Sequence, residues 1–248
     1  MQIALFSDVH ANFPALEAMF VDIDSRKPDA IYCLGDLVGY NIWPNEVINK
    51  IRQRGIATIS GNHDLKVKKK TSEKEGIIID VKSFAYQLVG EEEKNYLLSL
   101  PSSICLTFYC NYTSINLLLV HGSPNSVNEY LFEELEEAYL SEIMKTANAD
   151  ILCFGHTHKP YHRVIQIENE GVSQCRHTIN TGSVGKPKDG NPKGCYVLLT
   201  INETISLQEQ DSISVEFVRF DYDIETAAKA IENSPLPNDF AEMLRKGY

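Results

Sequence analysis

The sequence predicts an α/β fold in which a mostly parallel sheet is covered by helices and a second sheet packs on the first. In the first half, apolar runs of strand length alternate with amphipathic helical patterns, which is typical of repeated β-α-β units. In the second half the apolar runs are strand-rich. With 248 residues, 43% of them hydrophobic, the chain is long enough to bury a sizeable core, and we expect one domain over 1–248.

The elements of the first half follow from short apolar runs and helical spacing. Strands are predicted at 3–6, 30–34 and 56–59. Leu16, Met19, Phe20 and Ile23 recur at helical spacing after Asn12, so a first helix is expected there with Asn12 as its N-cap. A second helix is expected after Pro44.

The second half is predicted to be mainly strands. They are expected at 104–109, 115–120, 151–154, 162–167, 178–179, 196–201 and 215–220. One helix is predicted between them, because Leu131, Leu135, Tyr139 and Ile143 recur every fourth residue and glutamates cover the other faces. Two further helices are expected at 224–231 and 240–244.

Composition excludes several functional classes. The balance of 23 Lys and Arg against 34 Asp and Glu gives a net charge of −11, which repels nucleic acid and anionic membranes, so a nucleic-acid partner is not expected. No apolar stretch approaches the roughly 20 residues that span a bilayer. The first residues carry no basic region of the signal-peptide type, so we expect a cytoplasmic protein. The six cysteines lack a C-x-x-C pair and are expected to be reduced and mostly buried.

Five of the predicted strands are followed at once by polar residues that bind metals. Five of the seven histidines lie in these clusters. Because ligand sites of open α/β sheets lie beyond the carboxyl ends of the strands, we expect the clusters to converge. They read Ser7-Asp8-Val9-His10, Gly35-Asp36, Gly61-Asn62-His63-Asp64, His121-Gly122 and Gly155-His156-Thr157-His158.

The residue types and spacings in these clusters favour a metal centre. If the strands continue through Asp8-x-His10 and His156-x-His158, both members of each pair point to the same side and share one site. Carboxylate, carboxamide and imidazole ligands without thiolate suit divalent Mn, Fe, Zn, Ni or Co. Seven candidate ligands exceed what one ion can bind, so two metals are expected.

The order D-x-H, G-D, G-N-H-D, H-G and G-H-T-H resembles the calcineurin-like metallophosphoesterase superfamily, and in particular its small bacterial phosphodiesterase-like members. The resemblance runs from Asp8 to His158 and extends to the stretch Asn180-Thr181-Gly182-Ser183-Val184-Gly185. It implies an α/β fold with a two-layer mixed β-sandwich flanked by helices, and a dinuclear metal centre that hydrolyses a small phosphorylated substrate.

The resemblance also implies a role for each residue. One metal would take Asp8, His10 and His158; the other would take Asn62, His121 and His156; Asp36 would bridge them. Two such cations hold an attacking hydroxide and a phosphoryl oxygen in line. His63 would be the catalytic acid that protonates the leaving oxygen or stabilises its charge, and Asn62, His63 and Asn12 would contact the substrate.

Two departures from the phosphoprotein phosphatase pattern bear on substrate class. The second motif reads Gly35-Asp36-Leu37-Val38-Gly39-Tyr40, so Tyr40 stands where those enzymes have a phosphate-binding arginine. Gly39 replaces the acid that would orient the histidine, which leaves Asp64 as a candidate partner of His63. Because a phosphodiester carries less charge than a phosphomonoester, the missing arginine favours a phosphodiesterase.

Other functions and features stay open at this point. A phosphomonoesterase or protein phosphatase, a dinucleoside polyphosphate hydrolase, and a non-catalytic interaction module on the same fold are the alternatives. The lysines in 66–70 are either a solvated loop or a local attraction for phosphate, and Tyr40 and Trp43 either pack the loop or stack on a substrate ring. The stretch 182–187 lacks the Walker pattern and is expected to be a turn beside His156 and His158.

Overall fold

Two mixed five-stranded sheets form the centre of the molecule, as the sequence predicts. The computed structural model describes residues 1–70, 83–110, 113–169, 171–202 and 205–248. The strands of the first sheet are β1 (Gln2–Phe6), β2 (Ala30–Cys33), β3 (Ala57–Thr58), β9 (Gly194–Ile201) and β10 (Ile213–Phe220). Those of the second are β4 (Ser103–Cys110), β5 (Thr113–Val120), β6 (Ile151–Phe154), β7 (Tyr161–Asn169) and β8 (Val172–Asn180).

Each sheet is mixed: the parallel strands lie at one side of the first sheet and in the centre of the second. The first has the order β10-β9-β1-β2-β3, in which β1, β2 and β3 run parallel. The second has the order β4-β5-β6-β8-β7, in which β5, β6 and β8 run parallel. Because the strands of a parallel set end at the same edge, the loops that follow them lie side by side.

Helices flank the sandwich. They are α1 (Phe13–Arg26), α2 (Pro44–Gln53), α3 (Phe84–Gln87), α4 (Glu91–Ser99), α5 (Glu137–Thr146), α6 (Ile224–Glu232) and α7 (Asp239–Lys246), with a 3₁₀ helix at Asp64–Lys70. α1 and α2 lie where helices are predicted, α6 agrees with 224–231 within one residue, and α7 is longer than the predicted 240–244 at both ends. The helices α3 and α4 were not predicted, because α3 has only four residues and α4 buries only Leu97, so neither shows an apolar face at helical spacing.

Three hydrophobic layers hold the architecture together. Between the sheets, Leu5 of β1 belongs to the same core as Leu117 and Ile151 of the second sheet. Phe6, one residue later, belongs instead to the core that β1 shares with α1, as alternation along a strand requires. On the opposite side, residues of β6 and α5 form the third core, with Phe154 among them.

The helix predicted from the spacing of Leu131, Leu135, Tyr139 and Ile143 begins only at Glu137. Upstream, backbone carbonyls accept hydrogen bonds from side chains of β7 instead of forming helical bonds. Leu131 accepts the Tyr161 hydroxyl at 3.0 Å, and Leu135 accepts the Arg163 guanidinium. Leu131 is nevertheless buried, so its apolar character reflects packing of a loop.

A fourth cluster joins the end of the chain to the loops around the sheet edge. Ala227 and Ile231 of α6 and Leu244 of α7 pack with Ala85 of α3, and Trp43 lies against them. Trp43 therefore packs the loop, which is one of the two roles expected for it.

Most of the free cysteines are buried, as the sequence predicts. Cys33, Cys153, Cys175 and Cys195 are buried and unbridged, whereas Cys105 is exposed on β4. Among the residues that the structure describes, no helix combines the length and the apolar character that crossing a bilayer requires.

Candidate metal centre

The polar clusters predicted from the sequence meet at one edge of the sandwich. Asp8 follows β1, Asp36 follows β2, His121 follows β5 and His156 follows β6, each within three residues of the strand end. All four side chains are buried. Their metal-binding atoms form three overlapping groups, in each of which the atoms lie within 4.8 Å of one another. The groups are Asp8, His10 and His158; His10, Asp36 and His63; and Asp36, His121 and His156.

The first group is arranged around one carboxylate oxygen. Oδ1 of Asp8 lies 3.2 Å from Nε2 of His158 and 3.5 Å from Nε2 of His10. The two imidazole Nε2 atoms are themselves 3.2 Å apart, and their rings stack. These three atoms surround a space that one cation would fill.

The third group, Asp36 with His121 and His156, lies beside the Asn62 carboxamide that the sequence predicts as a ligand. Nε2 of His121 lies 3.3 Å from Oδ2 of Asp36 and 3.2 Å from Oδ1 of Asn62. The ring of His156 lies 5.0 Å from that of His121. Oδ2 of Asp36 is also 3.7 Å from Nε2 of His10 in the first group, so Asp36 lies between the two groups.

Three buried atoms of the centre have no hydrogen-bond partner in the described part of the chain. They are Oδ1 of Asp8, Oδ2 of Asp36 and Nε2 of His156. A buried polar atom without a partner is costly, whereas an atom that binds a metal is satisfied. Each of the two outer groups contains at least one of these atoms, so the donor set fits two divalent cations.

Backbone carbonyls orient the imidazoles of the centre. Nδ1 of His10 bonds the carbonyl of Val38 at 3.0 Å, and Nδ1 of His121 bonds that of Leu34 at 2.8 Å. Nδ1 of His158 bonds the carbonyl of Lys186 at 2.5 Å. Since a carbonyl only accepts, each Nδ1 carries a hydrogen, and in the neutral imidazole the Nε2 lone pair is the one left for a metal.

The two central carboxylates are held by backbone amides through their other oxygen. The amide of His156 donates to Oδ2 of Asp8 at 2.9 Å, and that of His63 donates to Oδ1 of Asp36 at 2.7 Å. Glycines permit this close approach. A Cβ at Gly155 would lie 2.5 Å from Oδ2 of Asp8, and one at Gly61 would lie 2.1 Å from Oδ1 of Asp36.

Left-handed backbone, rather than strand alternation, brings each D-x-H and H-x-H pair together. β1 ends at Phe6 and β6 at Phe154, so the expectation that the strands continue through these motifs is wrong. Asp8, His10, Asp36, His156 and His158 all have φ between 49° and 66°. Such conformations cost about 1 to 3 kcal/mol each for residues other than glycine, and they concentrate at functional sites.

Electrostatics keeps the carboxylates ionised. Burial acts against ionisation, but the neighbouring His158 and His10 hold the pKa of Asp8 well below its usual value. Burial likewise opposes protonation of His121, yet the Asp36 carboxylate raises its pKa to about 9. Metal binding at Nε2 must therefore displace a proton from His121.

His63 lies at the border of the centre. Its ring is 4.9 Å from that of His10, and one of its nitrogens belongs to the middle group with Asp36. Burial lowers its pKa to about 2, so the imidazole is neutral. The hydroxyl of Tyr86 lies 2.5 Å from its Nδ1. Sequence reasoning missed Tyr86, which is 23 residues away in the chain and belongs to no motif.

Asp64 does not orient His63. Its carboxylate accepts three backbone amides, from Gly61 at 2.9 Å, Asp36 at 2.8 Å and Leu37 at 2.9 Å. The expectation that Asp64 is the partner of His63 is therefore wrong. Asp64 instead ties the Asp36 loop to the loop of Asn62 and His63.

Asn12 acts as the helix cap that the sequence predicts. Its Oδ1 accepts the amide of Ala15 at 3.2 Å, and its Nδ2 donates to the carbonyl of Gly185 at 2.9 Å. Both polar atoms of the side chain are thus engaged within the protein. Its contact with a substrate stays a prediction.

The turn at 182–187 lies beside the centre, as expected. Nδ2 of Asn180 donates to the carbonyl of Gly155 at 2.7 Å, and Oγ of Ser183 donates to that of Asp8 at 2.8 Å. Both residues therefore hold the ligand loops in place. The side chains of Lys68, Lys69 and Lys70 lie outside the described residues. Their role in attracting phosphate therefore stays a prediction.

An aromatic wall borders the His10 side of the centre. The Tyr40 ring lies 4.7 Å from that of His10 and 5.0 Å from that of His63. Phe240 of α7 packs edge-on against Tyr40 at 5.1 Å, and Nζ of Lys186 lies 4.9 Å from the centre of the Tyr40 ring. Phe240 could not be linked to the centre from sequence, because it follows Tyr40 by 200 positions.

A fold of two packed mixed sheets, with carboxylates and imidazoles gathered at the ends of parallel strands, is that of a metal-binding α/β protein. The chain belongs to the calcineurin-like phosphoesterase superfamily, whose domain matches residues 1–204. This match confirms the family resemblance drawn from the motifs.

Relatives and solved structures support the same assignment. An uncharacterized protein of Methanocaldococcus jannaschii is 31% identical over 258 residues, covering 99% of this chain and 98% of its own. The crystal structure of a metallophosphoesterase from Sphaerobacter thermophilus superposes with a TM-score of 0.76 at 26% identity, covering 100% of this chain and 99% of that one. A hypothetical protein from Pyrococcus horikoshii has a TM-score of 0.76 at 22% identity, covering 100% and 98%, and shows the same fold.

Proposed function

We propose that the protein is a dinuclear-metal-dependent hydrolase of phosphoric esters, with phosphodiesters as the favoured substrates. The observation that carries the proposal is the position of Asp36. Its Oδ2 lies 3.3 Å from His121 in one ligand group and 3.7 Å from His10 in the other, and no described residue makes a hydrogen bond to it. A carboxylate oxygen in that position suits a bridge between two cations.

The residues of the metal centre would perform three tasks. Asp8, His10 and His158 would hold one cation, and Asn62, His121 and His156 the other, with Asp36 shared. When bound, two divalent cations supply an activated water and neutralise charge on the phosphoryl group. His63, neutral and beside the centre, would donate a hydrogen bond to the leaving oxygen.

The phosphodiester preference rests on the absent guanidinium. Tyr40 occupies the place of the phosphate-binding arginine and lies against His10 and His63. Two cations neutralise the single charge of a diester, whereas a monoester dianion needs a further donor.

Metal analysis and a paired assay test the proposal. We expect about two metal ions per chain after loading with Mn, and a higher kcat/KM for bis-p-nitrophenyl phosphate than for p-nitrophenyl phosphate. At most one bound ion under saturating metal would contradict the dinuclear centre. The reverse order of kcat/KM would contradict only the diesterase preference.

Phosphomonoester hydrolysis is the second candidate, and Lys186 favours it. This lysine is 2% exposed, and its Nζ lies 4.9 Å from the centre of the ring of Tyr40, which stands in the arginine's place. If Lys186 supplies the missing cation, Lys186→Met should reduce kcat/KM for the monoester more than for the diester. An equal loss on both substrates would remove the argument for this candidate.

A further inference from the structure

The hydroxyl of Tyr86 is placed to control the orientation of His63. Tyr86 lies on α3 (Phe84–Gln87), and its oxygen is 2.5 Å from Nδ1 of His63. The two rings lie 5.9 Å apart with an angle of 31° between them. Among the residues that the structure describes, Nδ1 is the hydrogen-bond partner recorded for this hydroxyl.

Gly39 leaves the space in which this contact forms. A Cβ at Gly39 would lie 2.6 Å from Nδ1 of His63 and 3.4 Å from the Tyr86 hydroxyl. The φ of Gly39 is +95°, which side-chain-bearing residues rarely adopt. Position 39 therefore cannot carry an acid in this backbone without displacing His63, and the tyrosine reaches Nδ1 from a different segment of the chain.

The direction of the hydrogen bond follows from the hydrogen that the phenol carries. Among the described residues, Nδ1 of His63 is the hydrogen-bond partner of the Tyr86 hydroxyl, so the phenol hydrogen has an acceptor only if it is donated to Nδ1. A neutral imidazole has one ring nitrogen without hydrogen that can accept it. If the phenol donates to Nδ1, the imidazole hydrogen is on Nε2, the nitrogen that Tyr86 does not occupy.

We propose that Tyr86 is a positioning residue: its hydroxyl donates to Nδ1 of His63, fixes the tautomer with hydrogen on Nε2, and aims that N–H at the leaving oxygen of the ester. The role in turnover rests on the proposed function. No proton leaves His63 in this scheme, because the N–H stabilises the charge that develops on the leaving oxygen through a hydrogen bond.

Nitrogen NMR of the protein tests the tautomer without any turnover. Zn²⁺ is suitable for loading because it has a filled d shell and does not broaden the signals. In Zn-loaded protein labelled with ¹⁵N-histidine, the resonances lost in His63→Ala identify His63. We expect its Nε2 to carry the hydrogen in the wild type, and Tyr86→Phe to shift the Nδ1 resonance. A hydrogen on Nδ1 in the wild type, or unchanged shifts in Tyr86→Phe, would overturn the proposal.

The leaving group provides the kinetic test. Tyr86→Phe keeps the ring and removes only the hydroxyl, so metal content should be unchanged. Across aryl phosphodiesters, we expect kcat to fall roughly tenfold for the most basic leaving phenol, the effect of one misdirected hydrogen bond. It should change little for nitrophenol, whose charge needs less stabilisation. An equal loss on every ester would indicate a purely structural role and count against the proposal.

Tyr96→Phe is the matched control. Tyr96 lies on α4 and packs against the core of the first sheet rather than against His63. Its variant should retain wild-type histidine resonances and the wild-type dependence on leaving group. If the wild type cleaves none of the esters, the proposed function fails, while the tautomer measurement still decides the role of Tyr86.

Discussion

Oδ2 of Asp36 lies 3.3 Å from Nε2 of His121 without the geometry of a hydrogen bond. This contact of two buried groups leaves a carboxylate oxygen with nothing to satisfy it in the described part of the protein. The same oxygen lies within reach of the first ligand group. Asp36 is therefore the residue whose loss should affect both metals at once.

Asp36→Asn should weaken binding of both ions. The amide keeps the size of the side chain but loses the charge that a bridge between two cations requires. We expect each affinity to fall by more than about tenfold, the lower end of losses seen for residues that only support a ligand. Calorimetric titration with Mn measures both sites. Asp221→Asn, at an exposed ion pair with Lys193, is the control and should bind as the wild type does. Loss of a single ion would place Asp36 in one site alone.

His63→Ala should separate turnover from metal binding. If His63 stabilises the leaving group and is not a ligand, the variant keeps both ions and loses about 10²- to 10⁴-fold in kcat on unactivated esters. His162→Ala, which removes an imidazole paired with His177 outside the centre, should change neither quantity. Because His63 also shares a group with His10 and Asp36, metal analysis of the variant is decisive. A lost ion would make His63 a ligand.

Gly155→Ala should weaken metal binding as well as destabilise the fold. The added Cβ would lie 2.2 Å from Oγ of Ser7 and 2.5 Å from Oδ2 of Asp8, so the carboxylate must move. We expect a loss of about 1 to 3 kcal/mol in the free energy of unfolding, together with weaker binding of one metal. Gly55→Ala, whose Cβ would meet nothing within 4 Å, adds a methyl group at a glycine with no neighbour to displace and should leave metal binding unchanged. Equal metal affinities in the two variants would contradict the packing argument.

Metal removal should lower thermal stability. The metal-free protein holds ionised carboxylates, partnerless buried atoms and left-handed residues in one place. A free metal concentration of about 1,000 times the dissociation constant adds about 4 kcal/mol to the free energy of unfolding. For a chain of this size, that corresponds to roughly 10 °C in Tm. Thermal unfolding with and without a chelator, after dialysis, measures the difference. A Tm unchanged by the chelator and by added Mn would show that the native state does not bind the metal.

Local patterns were sufficient to predict the positions of the strands and the candidate ligands, although the run at 178–179 marks only the end of β8 (Val172–Asn180). The run at 151–154 agrees with β6 residue for residue, because a strand buried on both faces is apolar throughout. The ligand clusters were recognisable because each begins within a few residues of an apolar run that predicts a strand. Neither inference needs contacts between distant parts of the chain.

What the sequence could not reveal depends on long-range contacts or on backbone conformation. The Tyr86–His63 contact joins a four-residue helix to a loop, and nothing near Tyr86 marks it as functional. The left-handed conformations of Asp8 and His156 could not be predicted, because neither residue is glycine and most Asp and His residues have negative φ. The non-helical stretch after Leu131 depends on hydrogen bonds from Tyr161 and Arg163, more than 25 residues away.

The pair of helices α6 and α7 lies beyond residues 1–204, which match the superfamily domain. It nevertheless places Phe240 against Tyr40 and packs on the segment that carries Tyr86. Neither helix contributes a candidate ligand. Substitutions in these two helices can therefore reshape the aromatic wall beside His10 while the ligand set stays intact. A designer who wants to change which substrate fits against that wall can begin there without touching a metal-binding residue.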